Sequence, residues 1–149
     1  MDSQVMKQWL TAISAEAERG GHIFPEFAAC EAGLESNFGT SLLARKANNL
    51  FGQKARAGNP YGVLDLPTKE FINGEWIETT AHWISYPDHA TCFADRMATL
   101  KRLQHAYPHY GAALSAPDGQ TFVREVSMTW STDPHRGDKV LQIHQEFFS

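Results

Sequence analysis

Thr68-Lys69-Glu70-Phe71-Ile72-Asn73-Gly74-Glu75-Trp76-Ile77-Glu78-Thr79-Thr80-Ala81 is the stretch of this chain that departs most clearly from helical patterning. Two runs, Thr68 to Ile72 and Glu75 to Ala81, are rich in β-branched and aromatic residues, which suit a pleated surface. Asn73-Gly74 between them is the strongest short hairpin signal, because both residues accept the positive φ that a tight type I′ turn demands. Alternation along the first run puts Thr68, Glu70 and Ile72 on one face. The spacing predicts a small β-hairpin, and the chain on either side of it reads as helix.

Working outward toward the N-terminus, Asn48 to Pro60 reads as a polar loop. Before it, Thr40 is placed to cap a short helix running through Ala47. A longer helix opens at Pro25, a favoured first-turn residue, and carries Phe27, Cys30, Leu34 and Phe38 in one stripe until Gly39. An amphipathic helix from Asp2 to about Glu18 comes first, with Val5, Met6, Trp9, Leu10 and Ile13 at helical spacing and Gly20-Gly21 after it. Toward the C-terminus, Asp88 caps a helix whose stripe is Phe93, Met97, Leu100 and Leu103, ending by Pro108. Pro117-Asp118-Gly119 marks a turn, a helix follows from about Gln120 to Trp130, and Asp133-Pro134 opens a last one carrying Val140, Leu141, His144 and Phe148.

The 149 residues, 42% of them hydrophobic, form one domain, residues 1–149, able to bury a core unaided. A net charge of −4 argues against a partner gripped by charge alone, so neither nucleic acid nor an anionic membrane is expected. No run of 18 apolar residues suggests membrane insertion. Cys30 and Cys92 lack zinc or redox spacing and read as buried free thiols, and the seven histidines show no metal-site spacing. No cofactor or metal is expected.

Glu31 and Glu35, four residues apart, share a helix face with Ala28, Ala32 and Gly39, and these small neighbours leave room for something to lie against that face. Near a helix C-terminus, the negative end of the dipole and partial burial favour a protonated carboxyl, which a general acid needs. Spacing alone favours an ordinary solvated helix face for the pair and does not name an enzyme. Glu70 on the hairpin supplies a second carboxylate, and one acid on a helix end with one carboxylate on a nearby hairpin suits glycoside hydrolysis.

Ala29-Cys30-Glu31-Ala32-Gly33-Leu34-Glu35-Ser36-Asn37-Phe38-Gly39, followed by Ala47-Asn48-Asn49-Leu50-Phe51-Gly52-Gln53-Lys54-Ala55, resembles the glucosaminidases of glycoside hydrolase family 73. The resemblance continues through Thr68 to Gly74, Tyr86 and Thr132-Asp133-Pro134-His135, so it covers most of the chain. It implies a mainly helical, lysozyme-like α+β fold, with a helical lobe and a small β-hairpin lobe flanking a glycan cleft. It also implies an endo-acting cut at the β-1,4 bond between N-acetylglucosamine and N-acetylmuramic acid in peptidoglycan.

In that resemblance Glu35 matches the catalytic acid and Glu70 a β-lobe glutamate proposed to activate water. An inverting route would use Glu70 as base, with the carboxyl groups roughly 6.5–9.5 Å apart. A substrate-assisted route would use the sugar's acetamido group, with Glu70 only orienting or stabilising. Tyr86, Tyr110 and Trp76 are candidates to stack on sugar faces, with core packing as the competing role of each. Asn49 is open to two roles, binding an acetamido group or closing its loop. Two positions depart from the pattern: Arg136 and Trp130 stand where family members commonly carry tyrosine.

A lytic transglycosylase or muramidase on the same fold, and a non-catalytic glycan-binding or assembly module, are the alternatives. Retention of Glu35 in its leucine-glutamate-serine setting counts against the last. The expected partner is the peptidoglycan glycan strand, the expected state a monomer, and the expected place of action the bacterial wall. The N-terminus lacks the order of a secretory signal, so delivery by a phage pore, a secretion machine or a larger parent chain is expected.

Overall fold

In the computed structural model, which describes residues 1–149, the first helix begins where its cap stands: Asp2 accepts the Val5 N–H at 2.9 Å, and α1 runs Ser3–Arg19. Such a cap contributes about 1 kcal/mol. Leu10, Ile13 and Ala17 are the buried face of α1, while Val5, counted in the expected stripe, is exposed.

Helix α2 (Pro25–Ser36) opens at the expected proline but stops three residues short of Gly39. Asn37, Phe38 and Gly39 all take positive φ, so the chain leaves the helix in a left-handed turn. Gly39 needs to be glycine twice over: its φ is +78°, and a Cβ there would sit 2.5 Å from Trp9 Nε1. Glu35 therefore lies on the last turn of α2. Ser41, not Thr40, caps α3 (Leu42–Ala47), accepting the Ala44 N–H at 3.2 Å.

The hairpin is longer than its sequence signal. Strands β1 (Gly62–Ile72) and β2 (Glu75–Ser85) pair antiparallel in a two-stranded sheet, with Ile72 opposite Glu75 and Gly62 opposite Ser85. Asn73 and Gly74 turn with φ of 51° and 81°, as the tight turn requires. Pro67 did not end the ladder because each strand of a two-stranded sheet has a free edge, where a missing N–H is tolerated. The half beyond Pro67 is almost wholly exposed on both strands. At its base the ribbon joins the body: Lys54 bridges to Trp83, and Asn48 donates through its side chain to the Tyr86 carbonyl.

Helix α4 (His89–Leu103) has Asp88 as its cap, and α6 (Gly119–Trp130) has Asp118. Between them lies α5 (Pro108–Leu114), a short helix not anticipated from the sequence, in which Pro108 does not merely end one helix but also opens the next. The last helix, α7 (Arg136–Phe148), starts after a turn at Pro134 and His135, two residues later than its proline suggests. Helices α1, α2, α4, α6 and α7 surround a core containing Leu10, Cys30, Phe93, Leu100, Phe122 and Val140, and α2 runs through its middle, packed on α1, α6 and α7. Both cysteines are free and buried, and burial pushes each thiol up to about 12.

Candidate active site

Glu31 and Glu35 share a face of α2 yet have opposite environments. Glu31 is fully buried. Arg96 of α4 grips it with two parallel bonds, Nη1 to Oε1 at 2.9 Å and Nη2 to Oε2 at 2.7 Å. Burial alone would drive this carboxyl toward its neutral form, but Arg96 and Arg136 outweigh it and hold the group down at about 2. A solvated helix face is thus excluded for Glu31: it is a charged strut of the core.

Arg96 is itself enclosed. Its guanidinium lies 4.4 Å from the Phe51 ring centre and 4.3 Å from that of Trp130. Its Nη1 also donates to His22 Nε2 at 3.1 Å, while His22 Nδ1 donates to the Ile23 carbonyl at 2.7 Å. Those partners fix a neutral imidazole, and burial, followed by the Arg96 charge, lowers its titration to about 4.

Arg136 links this buried cluster to the surface. It is 2% exposed, its Nε donates to Glu35 Oε1 at 2.8 Å, and its Nη1 donates to the Ser127 hydroxyl of α6 at 2.8 Å. Its Nη2 lies 2.9 Å from Glu31 Oε2 but off the angle of a hydrogen bond. Glu35, by contrast, has 27% of its side-chain surface exposed and leaves Oε2 without a protein partner. It is a surface carboxylate held from behind by a buried cation.

The remaining candidates divide. Glu70 is exposed on β1 opposite Ile77, and Trp76, 70% exposed, packs its ring 5.3 Å from that of Phe71 at a 52° tilt at the hairpin tip. Tyr110 is largely buried but lines a groove of about 470 Å³ with Trp130, Phe51, Gln53, Arg56 and Arg102. Asn49 and Tyr86 are buried and bonded within the protein. Asn49 is 1% exposed and spends its amide on the Gln53 and Ile84 carbonyls and on the Gln53 N–H, so the loop-closing role is the one it fills. Tyr86 is 3% exposed, its hydroxyl donating to Asp95 and accepting from Gln53. Within the loop expected to be polar, Asn49, Leu50, Phe51 and Gln53 thus turn inward, the polar ones satisfied by partners in the protein, while Lys54, Ala57, Gly58 and Pro60 stay exposed.

A larger concavity of about 720 Å³ lies between α6 and α7, lined by Ser127, Met128, Thr132, Asp133 and Asp138 among others. Neither concavity is lined by Glu35, although Ser127 on the floor of the larger one shares the Arg136 fork with it. No His, Cys, Asp and Glu side chains gather as a metal site requires, and no helix is long and apolar enough to cross a membrane.

A family model described as mannosyl-glycoprotein endo-beta-N-acetylglucosaminidase matches residues 11–148. The chain belongs to this glucosaminidase family. Among relatives of this glucosaminidase domain, the peptidoglycan hydrolase FlgJ of Vibrio parahaemolyticus is 29% identical over 130 residues, covering 84% of the chain and 41% of the relative. A probable N-acetylmuramidase of Lactococcus lactis subsp. cremoris is 26% identical over 149 residues, covering 97% of the chain and 34% of the relative. The domain thus spans well under half of either relative. Its fold is that of the catalytic domain of the autolysin Auto from Listeria monocytogenes, with a TM-score of 0.81 at 22% identity over 99% of this chain and 86% of that one.

Arg136 and Trp130 stand out in the sequence as departures, but their partners are far away along the chain. Arg96 is a further residue of the cluster, and its signal in the sequence is an arginine on the apolar stripe side of an amphipathic helix, one residue before Met97.

Proposed function

We propose that this domain cleaves the β-1,4 bond following N-acetylglucosamine in peptidoglycan, with Glu35 as the general acid. The observation that carries this reading is the contrast along one face of α2: Glu31 is sealed in ion pairs, whereas Glu35 meets solvent with one oxygen uncommitted. A proton donor must reach the leaving oxygen of the sugar bond, and only a carboxyl with a free oxygen at the surface can do so. Membership of the glucosaminidase family and the likeness to a protein named peptidoglycan hydrolase support the substrate class.

In this reading the glycan lies between the helical body and the hairpin. Glu70 assists from the exposed ribbon, either as base on a water or by orienting the acetamido group, while Trp76 and the Tyr110 groove contact sugar rings. Asn49 and Tyr86 hold the wall behind them. The place of action is the cell wall, reached from outside the cytoplasm, and the domain works as a monomer without a cofactor. A relative named as a probable N-acetylmuramidase favours one second reading, cleavage after the muramic residue by the same acid.

Digestion of purified peptidoglycan by the wild type, Glu35→Gln and Glu70→Gln, with mass spectrometry of reduced fragments, tests the assignment. Reducing N-acetylglucosamine ends that vanish with Glu35→Gln are expected. Reducing muramic ends would indicate a muramidase and anhydromuramic ends a transglycosylase. A folded wild type that releases nothing from several wall types would leave only a glycan-binding module.

A further inference from the structure

Arg136 is a buried cation placed against the carboxylate that the proposed function makes the acid, and the inference drawn from it rests on that reading of Glu35. We propose that Arg136 is the positioning residue of the reaction, fixing which oxygen of Glu35 carries the transferable proton. The Arg136 Nε–H points at Oε1 from 2.8 Å. A proton on Oε1 would face that N–H, so the proton resides on Oε2, the oxygen with no protein partner. The fork does not move with Glu35, because its other arms are tied to Ser127 Oγ at 2.8 Å and lie 2.9 Å from Glu31 Oε2. Glu31 in turn is clamped by Arg96. Oε1 of a surface side chain is thereby referenced to the centre of the core, which is the positional control a proton donor requires.

The same contact sets a charge condition. The charged groups joined around Glu35 are Glu31 on its own helix, Arg136 from α7 and, through Glu31, Arg96 from α4, with neutral His22 beyond. Helix α6 contributes the uncharged Ser127, Asp133 and Lys139 pair with each other, and no hairpin side chain forms an ion pair with Glu35. Two guanidiniums face two carboxylates, so the cluster is neutral when Glu35 is ionised and carries one uncompensated positive charge when it is protonated.

Steady-state hydrolysis of purified peptidoglycan by the wild type, Arg136→Gln, Arg136→Lys and Glu35→Gln tests this. Arg136→Gln is expected to lower kcat roughly tenfold or more with KM within about twofold. Arg136→Lys keeps the charge but offers no rigid fork, so it too should lose kcat with KM retained. A folded Arg136→Gln with wild-type kcat, or with only a raised KM, overturns the proposal. Should Arg136→Gln fail to fold, Arg136→Lys decides alone: lost kcat supports the positioning role and wild-type kcat refutes it. Glu35→Gln separates the two levels, because full activity there sinks the acid assignment itself, whereas an inactive Glu35→Gln beside fully active Arg136 variants sinks only this inference.

Discussion

Arg96 Nη2 lies 2.7 Å from Glu31 Oε2, and neither side chain exposes any surface to water. Removing one charge from such a pair strands the other in the core, which costs about 3–5 kcal/mol. Glu31→Gln, nearly the same shape, should therefore lower the thermal midpoint by an amount on the order of 10 °C for a domain of this size. Calorimetry checks it, and a midpoint within about 2 °C of the wild type would contradict the strut role.

Acid should weaken the fold in two stages of the same sign. Buried His22 titrates at about 4 when folded and 6.5 as a free side chain, so the unfolded chain binds more protons between those values. Its stabilisation is complete above pH 6.5 and is lost as pH falls toward 4. Glu31, at about 2 when folded against 4.5, adds stability that is present above 4.5 and lost as pH falls toward 2. Urea midpoints measured from pH 7 down to 4 should fall steadily, and a flat series would show that His22 is not held neutral.

Gly20, at the end of α1, meets α4 so closely that a Cβ would lie 2.3 Å from the Ala90 carbonyl oxygen. Backbone cannot swing aside as a side chain does. Gly20→Ala is expected to destabilise by about 1–3 kcal/mol through overpacking, despite the better helix propensity of alanine. Chemical denaturation at one pH measures this, and a neutral or stabilising result would disprove the close approach.

At the hairpin tip the expected separation is the reverse. Trp76, 70% exposed, contributes little to folding, so Trp76→Ala should leave the unfolding midpoint within about 0.5 kcal/mol of the wild type. If the ring stacks on sugar, KM rises roughly two- to tenfold with kcat retained. An unchanged KM removes Trp76 from the glycan contacts.

The local signals were legible because each rests on neighbours in sequence. Asn73-Gly74 specified its turn, and Asp88 specified a helix start, through atoms only a few residues away. Pro108 misled because a proline limits one N–H, and that N–H did not matter in the first turn of a new helix. The site was less legible than the fold. Glu31 and Glu35 look alike at four-residue spacing, and what separates them is Arg96, 65 positions from Glu31, and Arg136, 101 positions from Glu35. For Asn49 and Tyr86 an inward role and a sugar-facing role were both open in the sequence, because their partners Ile84 and Asp95 are fixed only when the chain closes.

The ribbon from Gly62 to Ser85 meets the helices only at its base, while the charge cluster is assembled entirely from helices and the turn before α2. Length and sequence at the tip are thus uncoupled from the electrostatics of the carboxylate below. Such a layout is modular for adaptation to new walls: residues between Thr68 and Thr79 other than Glu70 can be traded to suit a differently decorated polymer, and the ion-pair cluster that holds Glu35 would inherit no penalty from the exchange.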